Sequence, residues 1–352
     1  MLVAVLERYR GRILSFNDDI QGTGAMTLAG LIAACRVSGA ELRDQRILIA
    51  GGGAAGVGIG EQLRAALAAE GLEGVRLETA IGVTDSRGLI AEGRERVFPY
   101  QENLAWSEEA LASVGLEAGA PLPEAAEAMG ATVLIGTSGQ PGLFSEEMVR
   151  KMAARVERPV VFPLSNPTSH AEAVPEDLVR WTEGRVLMGT GSPFPPVSWE
   201  GRELHVGQGN NAFIFPGVGL GALVAQAREV TDGMFNAAAR ALAETLTNEE
   251  LERTQLYPDV GRLRDVTRQV AIAVVEQAIA DGVAAIAAPD DSPSTAGVVR
   301  GGYSPDSNAG VVRGGRSLDS EGGVVRGGHS PDSEAAVDRA MWPPDYPELI
   351  PV

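Results

Sequence analysis

Residues 46–71 read RILIAGGGAAGVGIGEQLRAALAAEG, and this stretch decides the fold of the chain. The run RILIA at 46–50 is short, apolar and partly β-branched, which is typical of a buried β-strand. Three glycines follow at once, and good helix formers then continue to Glu70. The segment therefore predicts a strand, a tight glycine turn and a helix.

The turn contains Gly51-Gly52-Gly53-Ala54-Ala55-Gly56, a G-x-G-x-x-G pattern. Where a strand precedes it and a helix follows, Gly51 permits the tight turn and Gly53 lets the backbone approach a pyrophosphate. Gly56 then allows the helix to pack closely on the strand, and the phosphates lie at the helix N-terminus, near Ala54 and Ala55. The alternative is a glycine-rich corner without a ligand. The flanking strand and helix favour a dinucleotide site.

Outside this unit, short apolar runs alternate with helical patterns. TVLIG at 132–136 and PVVFPL at 159–164 are typical of strands, and 24–39 has apolar residues at helical spacing. Such alternation indicates parallel strands covered by helices. We predict an α/β fold over residues 1–285, a Rossmann-like doubly wound parallel sheet with flanking helices.

Composition narrows the classes of function. The 352 residues are 44% hydrophobic, enough for a sizeable core, and the formal net charge is -18. That charge argues against binding to nucleic acid or to an anionic membrane, and no apolar stretch predicts a transmembrane helix. The single cysteine, Cys35, cannot form an internal disulfide, and it predicts a cytoplasmic location.

A repetitive segment follows the α/β body. AGVVRGG occurs at 296–302 and 309–315, and GGVVRGG at 322–328, with a period of 13. Gly, Ser, Pro and Asp dominate, so we predict a linker at 286–335, disordered over 292–335. A small β-solenoid is the alternative, although these repeats offer few apolar residues to stack. Residues 336–352 regain Trp, Tyr and Met and predict a tail that docks on the body.

Asp85, in IGVTDSRG, is the candidate acid for binding adenosine ribose hydroxyls at the end of the next strand. It lies 34 residues after Gly51, whereas the usual separation is about 20. By spacing alone, a ribose ligand and a turn aspartate are equally good interpretations.

Asp18 and Asp19 lie in FNDDIQGT at 16–23. Adjacent carboxylates in extended chain point in opposite directions, so at most one would face a given metal. From the residues alone, Asp19 or Thr23 is more simply interpreted as the cap of the following helix.

Two loops carry asparagines that could orient a carboxylate substrate without adding charge. Asn166 follows an apolar run, and Asn210 and Asn211 lie in a Gly-rich segment. An Asx-turn is the structural alternative for each. His170 and His205 have no Cys or His neighbour at metal-ligand spacing and are interpreted as surface residues.

Taken in order, these motifs resemble the C-terminal, NAD-binding domain of malic enzymes, a family related to the malolactic enzymes. The resemblance covers about 17–285 together with MWPPDY at 341–346. The segments that carry it are FNDDIQGT (16–23), DQRILIAGGGAAGVGIG (44–60), VTDSRGLI (83–90), VLIGTSGQPGLF (133–144), ERPVVFPLSNPT (157–168), GTGSPFPPV (189–197), GQGNNAFIFPGVGLG (207–221) and LYPDV (256–260).

The resemblance implies NAD(P)-linked oxidation of malate to oxaloacetate, followed by decarboxylation to pyruvate and CO2 with Mg or Mn. We expect NAD rather than NADP, because Asp85 would repel a 2′-phosphate and accept hydrogen bonds from a free ribose diol. The resemblance adds that Gln101 falls where NADP-using relatives tend to carry Lys, although Arg87 could accommodate a 2′-phosphate. The implied roles are cofactor binding by Gly51, Gly53, Ala54, Ala55, Gly56, Asp85 and Asn210, substrate binding by Asn166 and Asn211, and metal binding by Asp19 with Asp18 beside it.

The sequence also departs from the family pattern. In the family, the general acid tyrosine, the general base lysine and two acidic metal ligands precede the FNDD motif, whereas this chain begins at Met1. Lys151, its only lysine, falls in a pattern typical of a surface helix, so no catalytic residue is predicted within the chain. We expect the chain alone to be impaired or inactive, with an upstream-domain chain as a candidate partner. A non-catalytic dinucleotide-binding module and a malolactic-type fragment are the alternatives, and the family implies a homo-oligomer for a complete enzyme.

Overall fold

The computed structural model describes residues 2–285 and 330–341. Seven strands form one sheet in the order β3-β2-β1-β4-β5-β6-β9, and two further strands form the β7–β8 hairpin. The strands are β1 (Ile47–Ala50), β2 (Ile81–Asp85), β3 (Gly88–Leu89), β4 (Val133–Gly136), β5 (Val160–Pro163), β6 (Leu187–Thr190), β7 (Val197–Trp199), β8 (Arg202–Leu204) and β9 (Gly207–Gln208).

Helices cover both faces of this sheet. Alternate residues of β1 enter two separate cores, Ile47 and Ile49 on one face and Leu48 and Ala50 on the other. The helices are α1 (Leu2–Tyr9), α2 (Thr23–Ser38), α3 (Ala54–Ala69), α4 (Gly74–Thr79), α5 (Glu108–Val114), α6 (Leu122–Ala128), α7 (Glu146–Ala153), α8 (Pro175–Trp181), α9 (Phe215–Val224), α10 (Asp232–Glu244), α11 (Asn248–Glu252), α12 (Leu263–Ala280) and α13 (Pro331–Ala340).

The sheet is parallel except at one edge, where β3 pairs antiparallel with β2. β1 lies between β2 and β4, with Ile47 opposite both Ile81 and Val133. All four residues of β1 are buried, which explains why this strand is continuously apolar rather than alternating. The predicted Rossmann-like parallel sheet with flanking helices is confirmed.

The next strand after β1 in the chain, β2, lies on one side of β1, whereas β4 lies on its other side. Strand order therefore reverses beside β1, and the connections after β1, β2 and β4 diverge at the carboxyl ends of the strands. A crevice at this position is where open α/β sheets bind ligands.

Residues Asp18–Ser38 are long and apolar enough to cross a membrane by length and composition, a feature that the sequence analysis did not expect. In the fold, 78% of that window is buried inside the protein. Its apolar residues, such as Leu28 and Leu31, belong to the core on one face of the sheet. Burial in the core therefore accounts for the apolar character of this helix.

The helix α13 begins inside the segment that the repeats predicted as a disordered linker. For residues 331–335 that prediction is wrong, because Pro331 starts a helix with Asp332 and Glu334 in its first turn. Val337 is fully buried against the body, and Arg268 on α12 holds Asp338 at 2.5 Å. Residues 286–329 of the predicted linker and 342–352 of the predicted tail lie outside the described residues.

Candidate functional site

A cleft of about 860 Å³ opens at the carboxyl ends of β1, β2 and β4. The turn after β1 and the first residues after β2 and β4 form most of its wall. Its lining includes Gly51, Gly52, Gly53, Asp85, Arg87, Tyr100, Gln101, Thr137 and Ser138. The described lining does not include Ala54, Ala55 or Gly56, which form the first turn of α3 behind it.

The three spaced glycines meet different demands. Gly51 has a φ of 134°, and a Cβ there would collide with Thr137. A Cβ at Gly56 would collide with the Gly51 carbonyl oxygen, so this glycine allows α3 to pack against the turn. At Gly53, by contrast, an added Cβ would meet no described atom within 4 Å. Packing thus requires Gly51 and Gly56, whereas Gly53 leaves open space in the cleft wall at the N-terminus of α3.

Asp85 ends β2 and faces this cleft. Its carboxylate accepts hydrogen bonds from both terminal nitrogens of Arg94, at 2.9 and 2.8 Å, and from the Arg87 backbone N–H at 2.8 Å. The side chains of Arg94 and Asp85 are 4% and 17% exposed. Burial opposes ionisation of Asp85, but Arg94 and the Arg87 N–H outweigh it and lower the pKa of the carboxyl. The bond to Arg87 N–H is that of a turn aspartate, so Asp85 combines this role with a position in the cleft.

Arg94 was missed in the sequence analysis. It lies nine residues after Asp85 in a loop, and no periodicity or motif marks it as the partner. Its guanidinium also donates to the carbonyl oxygens of Gly88 and Arg96. Arg94 therefore fixes the orientation of the Asp85 carboxylate and of the loop beside it.

Gln101 is buried and fastens the glycine turn. Its Nε2 donates to the Gly52 carbonyl oxygen at 2.7 Å, and its Oε1 accepts from the Phe98 backbone N–H at 3.0 Å. Its amide therefore lines the cleft and also supports the wall.

Glu172 is a second functional candidate that sequence reasoning missed. Its Oε1 accepts from the Ser138 N–H at 2.7 Å, the Ser138 hydroxyl at 2.9 Å and the Ser165 hydroxyl at 2.6 Å. It also accepts from the Gly139 N–H at 3.2 Å. The side chain is completely buried, and its Oε2 has no hydrogen-bond partner among the described residues. This carboxylate joins the loop after β4 to the loop after β5. The one signal that the sequence offers for it is an acid between two alanines, Ala171 and Ala173.

Asn166 and Asn210 both make structural hydrogen bonds. The Asn166 Oδ1 accepts from the Ser192 hydroxyl at 2.5 Å, across the ends of β5 and β6. The Asn210 Oδ1 accepts from the Ala212 N–H at 2.9 Å, which is the Asx-type bond that the alternative interpretation proposed. Their Nδ2 groups are the parts of these side chains that remain for a ligand.

Asn211 lies 193 residues from Asp18 in sequence, yet the two side chains meet. The Asn211 Nδ2 donates to the Asp18 carbonyl oxygen at 3.1 Å, the Asp18 carboxylate at 3.3 Å and the Thr23 hydroxyl at 3.0 Å. Burial raises the pKa of Asp18, the Asn211 hydrogen bond opposes this, and the Asp19 charge adds to it. The fold thus joins a predicted metal residue to a predicted substrate residue.

Two expectations about the Asp18-Asp19 segment are wrong. The chain there is not extended, because Asp18–Gly22 form a helical turn. The cap is neither Asp19 nor Thr23, because the extended backbone of Asn17 lets its Oδ1 accept the Ile20 N–H at 3.1 Å.

Asp18 and Asp19 do not by themselves make the metal site that the resemblance implies. Among residues 2–285 and 330–341, no three His, Cys, Asp or Glu side chains lie close enough to share an ion. Two carboxylates are a small part of the oxygen shell that Mg²⁺ requires.

The lysine and the two tyrosines nearest the motifs lie away from the cleft lining. Lys151 is on α7, in ion pairs with Glu127 and Glu147 at 3.4 and 3.1 Å, so the predicted surface position is confirmed. Tyr257 is buried and donates its hydroxyl to the Met26 carbonyl oxygen at 3.2 Å, and burial raises its pKa. Tyr9 is partly exposed on α1. None of these three side chains lines the described cleft.

Sequence comparison relates the chain to one family of known proteins. The family described as "Malic enzyme, NAD binding domain" matches residues 20–279. The NAD-dependent malic enzyme of Acinetobacter baylyi is 43% identical over 281 residues, which cover 80% of this chain and 50% of that protein. NAD-dependent malic enzyme 3 of Bacillus subtilis is 44% identical over 284 residues, with the same two shares. The chain spans about half the length of the curated relatives it matches.

Solved structures give the same result. The malic enzyme of Entamoeba histolytica superposes with a TM-score of 0.65 at 27% identity, covering 81% of this chain and 53% of that chain. The malic enzyme of Pyrococcus horikoshii has a TM-score of 0.65 at 28% identity, covering 82% and 60%. Because the match to residues 20–279 covers more than half of the chain, the chain belongs to the malic enzyme family, as its NAD-binding domain.

Proposed function

We propose that this chain binds NAD in the cleft after β1, as the dinucleotide-binding part of an enzyme that oxidatively decarboxylates malate to pyruvate and CO2. The observation that carries the proposal is the open space at Gly53. Packing explains the glycines at 51 and 56, but no protein contact explains the one at 53. A pyrophosphate that approaches the backbone there provides the missing reason.

The residues around the turn fit each part of the dinucleotide. The unpaired N–H groups at the start of α3 would hold the pyrophosphate, helped by the helix dipole. The Asp85 carboxylate, oriented by Arg94, would accept hydrogen bonds from the ribose hydroxyls. Glu172 would position Ser138 and Ser165, and with them the two loops that border the cofactor and the substrate.

On the substrate side, the Nδ2 groups of Asn166 and Asn211 would donate to the carboxylates of malate or pyruvate. Malate would lose its C2 hydride to bound NAD, which is the chemistry that the cofactor supplies. Asp18 and Asp19 are the carboxylates that this part of the chain offers to a divalent ion, Mg²⁺ or Mn²⁺. We also propose a cytoplasmic location and a homo-oligomeric enzyme, with a chain carrying the upstream domain as a candidate partner.

A non-catalytic dinucleotide-binding module is the second candidate. The observation that favours it is the position of Lys151, which is ion-paired on α7 and cannot act as a base at the cleft. Both candidates require NAD binding, and they differ in whether malate is oxidised.

The test compares two glycine-to-alanine variants by calorimetric titration with NAD. In Gly53→Ala, the new methyl group would enter the space assigned to the pyrophosphate, so we expect at least tenfold weaker NAD binding with an unchanged melting temperature. Gly261→Ala is the matched control, because a Cβ there also meets no described atom within 4 Å, but the residue lies outside the cleft lining. Equal NAD affinity in the two variants would contradict the proposal.

A further inference from the structure

A second cleft lies at the opposite edge of the sheet from the glycine turn. It has a volume of about 680 Å³, and Arg158, Arg185 and His205 are in its lining. These three residues precede β5, β6 and β9, which are parallel, so they lie at the amino ends of the strands. We call this the Arg158 cleft. It shares no lining residue with the cleft at the glycine turn, which we call the cofactor cleft.

The Arg158 cleft concentrates positive charge in a chain whose net charge is -18. Four arginines line it, together with His205, and three glutamates, Glu183, Glu203 and Glu252, lie at its wall. Arg253 forms an ion pair with Glu249, outside the cleft lining, at 2.7 Å. Arg158, Arg185 and Arg202 form no ion pair within the described parts of the chain, so the nearby glutamates do not neutralise them directly.

The arginines differ in how their donors are used. Arg185 donates to the carbonyl oxygens of Ala153, Val156 and Glu157, all at about 3 Å, and so holds the loop before β5 in place. Arg158 donates through Nε to the Arg185 carbonyl oxygen at 3.0 Å. Its two terminal nitrogens make no hydrogen bond to any described residue. They form a fixed fork of donors at the cleft wall.

Arg158 and Arg202 both line the cleft, and their charges are close enough to interact. The Arg158 side chain is half-buried. Burial lowers its pKa, the charge of Glu157 opposes this, and the nearby charge of Arg202 adds to the lowering. Arg202 is exposed on β8, and its side chain has no hydrogen-bond partner among the described residues. Guanidinium groups bind phosphoryl and carboxylate oxygens in pairs, and such an anion would relieve the repulsion between these two.

We propose that the Arg158 cleft is a binding site for a small anion with two or more charged oxygens, held between Arg158 and Arg202. Phosphoryl compounds and polycarboxylates share this chemistry. The proposal is independent of the function assigned to the glycine turn, because the two clefts lie at opposite edges of the sheet.

The experiment is a calorimetric titration of the 352-residue chain with inorganic pyrophosphate and, separately, with citrate, at constant ionic strength. We expect one saturable site per chain for at least one probe. Arg202→Gln should weaken binding about tenfold, the scale of a charged hydrogen bond, and Arg158→Gln at least as much. Arg155→Gln is the matched control, because Arg155 is an exposed arginine outside this cleft and should leave the affinity unchanged.

Binding of pyrophosphate alone would assign a phosphoryl ligand, and binding of citrate alone a polycarboxylate. Because Arg202 makes no described contact that folding requires, its variant tests the site even if Arg158→Gln is unstable. The titrations are repeated with saturating NAD, since pyrophosphate could also enter the glycine turn. The proposal is overturned if neither probe saturates, if both arginine variants bind like the parent, or if NAD displaces the probe.

Discussion

At the scale of single residues, the Asp85 carboxylate both stabilises a loop and lines the cofactor cleft. Its ion pair with Arg94 and its hydrogen bond from Arg87 hold the loop after β2, and the same group lines the cofactor cleft. Because Arg94 offsets its charge, Asp85 acts toward a ribose mainly as a pair of well-oriented acceptors. Under the proposed function, stability and NAD binding therefore depend on the same ionised group.

The lowered pKa of Asp85 gives a prediction about stability and pH. A carboxyl whose pKa is lower in the folded state stabilises the fold fully above its unfolded pKa, about 3.9, and loses this as pH falls through the folded value. Asp85→Asn should therefore lower the free energy of unfolding by about 2 kcal/mol at pH 7, less than for a fully buried pair. The difference from the parent should shrink below about pH 4.

Urea unfolding of both proteins at pH 7 and pH 3.5 measures this difference. Asp177→Asn is the control, because Asp177 pairs with Arg180 at the surface and such pairs contribute little. An equal loss of stability at the two pH values would count against the role assigned to Asp85.

The same residue sets the expected cofactor preference, NAD over NADP. We infer that the two oriented oxygens of Asp85 would accept hydrogen bonds from a free ribose diol, whereas a 2′-phosphate lacks one of the hydroxyls that would donate them. Gln101 is held by Gly52 and supplies no charge, whereas Arg87 is exposed at the cleft and could attract the phosphate. We expect at least tenfold tighter binding of NAD in parallel titrations. Tighter NADP binding that Arg87→Ala weakens would refute this preference.

At the scale of elements, α13 shows how a helix near the end of the described chain docks on the body. Val337 is buried, Arg268 pairs with Asp338 and Glu334, and Glu276 accepts the Ser330 N–H at 2.6 Å. Val337 is the buried apolar side chain of this ten-residue helix, and Met341 packs against the same core directly after it. Its docking should therefore be sensitive to one substitution.

We predict that Val337→Asp releases α13 while the α/β body stays folded. Burying a valine contributes about 1.5–3 kcal/mol, so losing it should raise the exchange of α13 amide hydrogens by at least tenfold. Hydrogen exchange read by mass spectrometry measures this over 330–341 and, for comparison, over β1. Ala335→Asp is the control, because Ala335 is exposed on the same helix. Equal protection of α13 in the two variants would show that Val337 does not anchor it.

At the scale of the whole molecule, the parallel sheet separates two polar edges. The carboxyl ends of the strands carry the cofactor cleft, and the amino ends carry the Arg158 cleft. The groups that oxidation of malate needs besides NAD are a base for the hydroxyl proton and an acid for the enolate. Lys151, the only lysine of the sequence, lies outside the cofactor cleft lining, so it does not supply the base there.

We therefore predict that the 352-residue chain alone oxidises malate slowly. Proton transfer by positioned groups contributes about 100- to 10,000-fold, so NADH formation with malate and Mn²⁺ should be at least 100-fold below that of the Bacillus subtilis relative assayed in parallel. Turnover that appears on adding a chain with the upstream domain would support the two-part enzyme over the binding module. Normal turnover by the chain alone, abolished by Asp19→Ala, would contradict the prediction.

Patterns among neighbouring residues in the sequence were enough to predict the strand, turn and helix at the centre of the sheet. The strand, glycine turn and helix at 46–71 depend on residues within a few positions of one another, since steric limits on the backbone and helix packing act over that range. The same holds for the surface helix of Lys151. Similarity in the order of motifs then identified the family.

The contacts between distant residues were decided by tertiary structure alone. Glu172 meets Ser138 only because parallel strands bring their carboxyl ends to one edge of the sheet. Asp18 meets Asn211 only because the helical turn before α2 packs beside the loop after β9. Arg94 is close to Asp85 in sequence, but the path of a loop, which no periodicity encodes, makes it the partner. Tertiary structure also decides which glycines packing requires, Gly51 and Gly56, and which one leaves space for a ligand, Gly53. The room around a Cβ depends on every element that surrounds it.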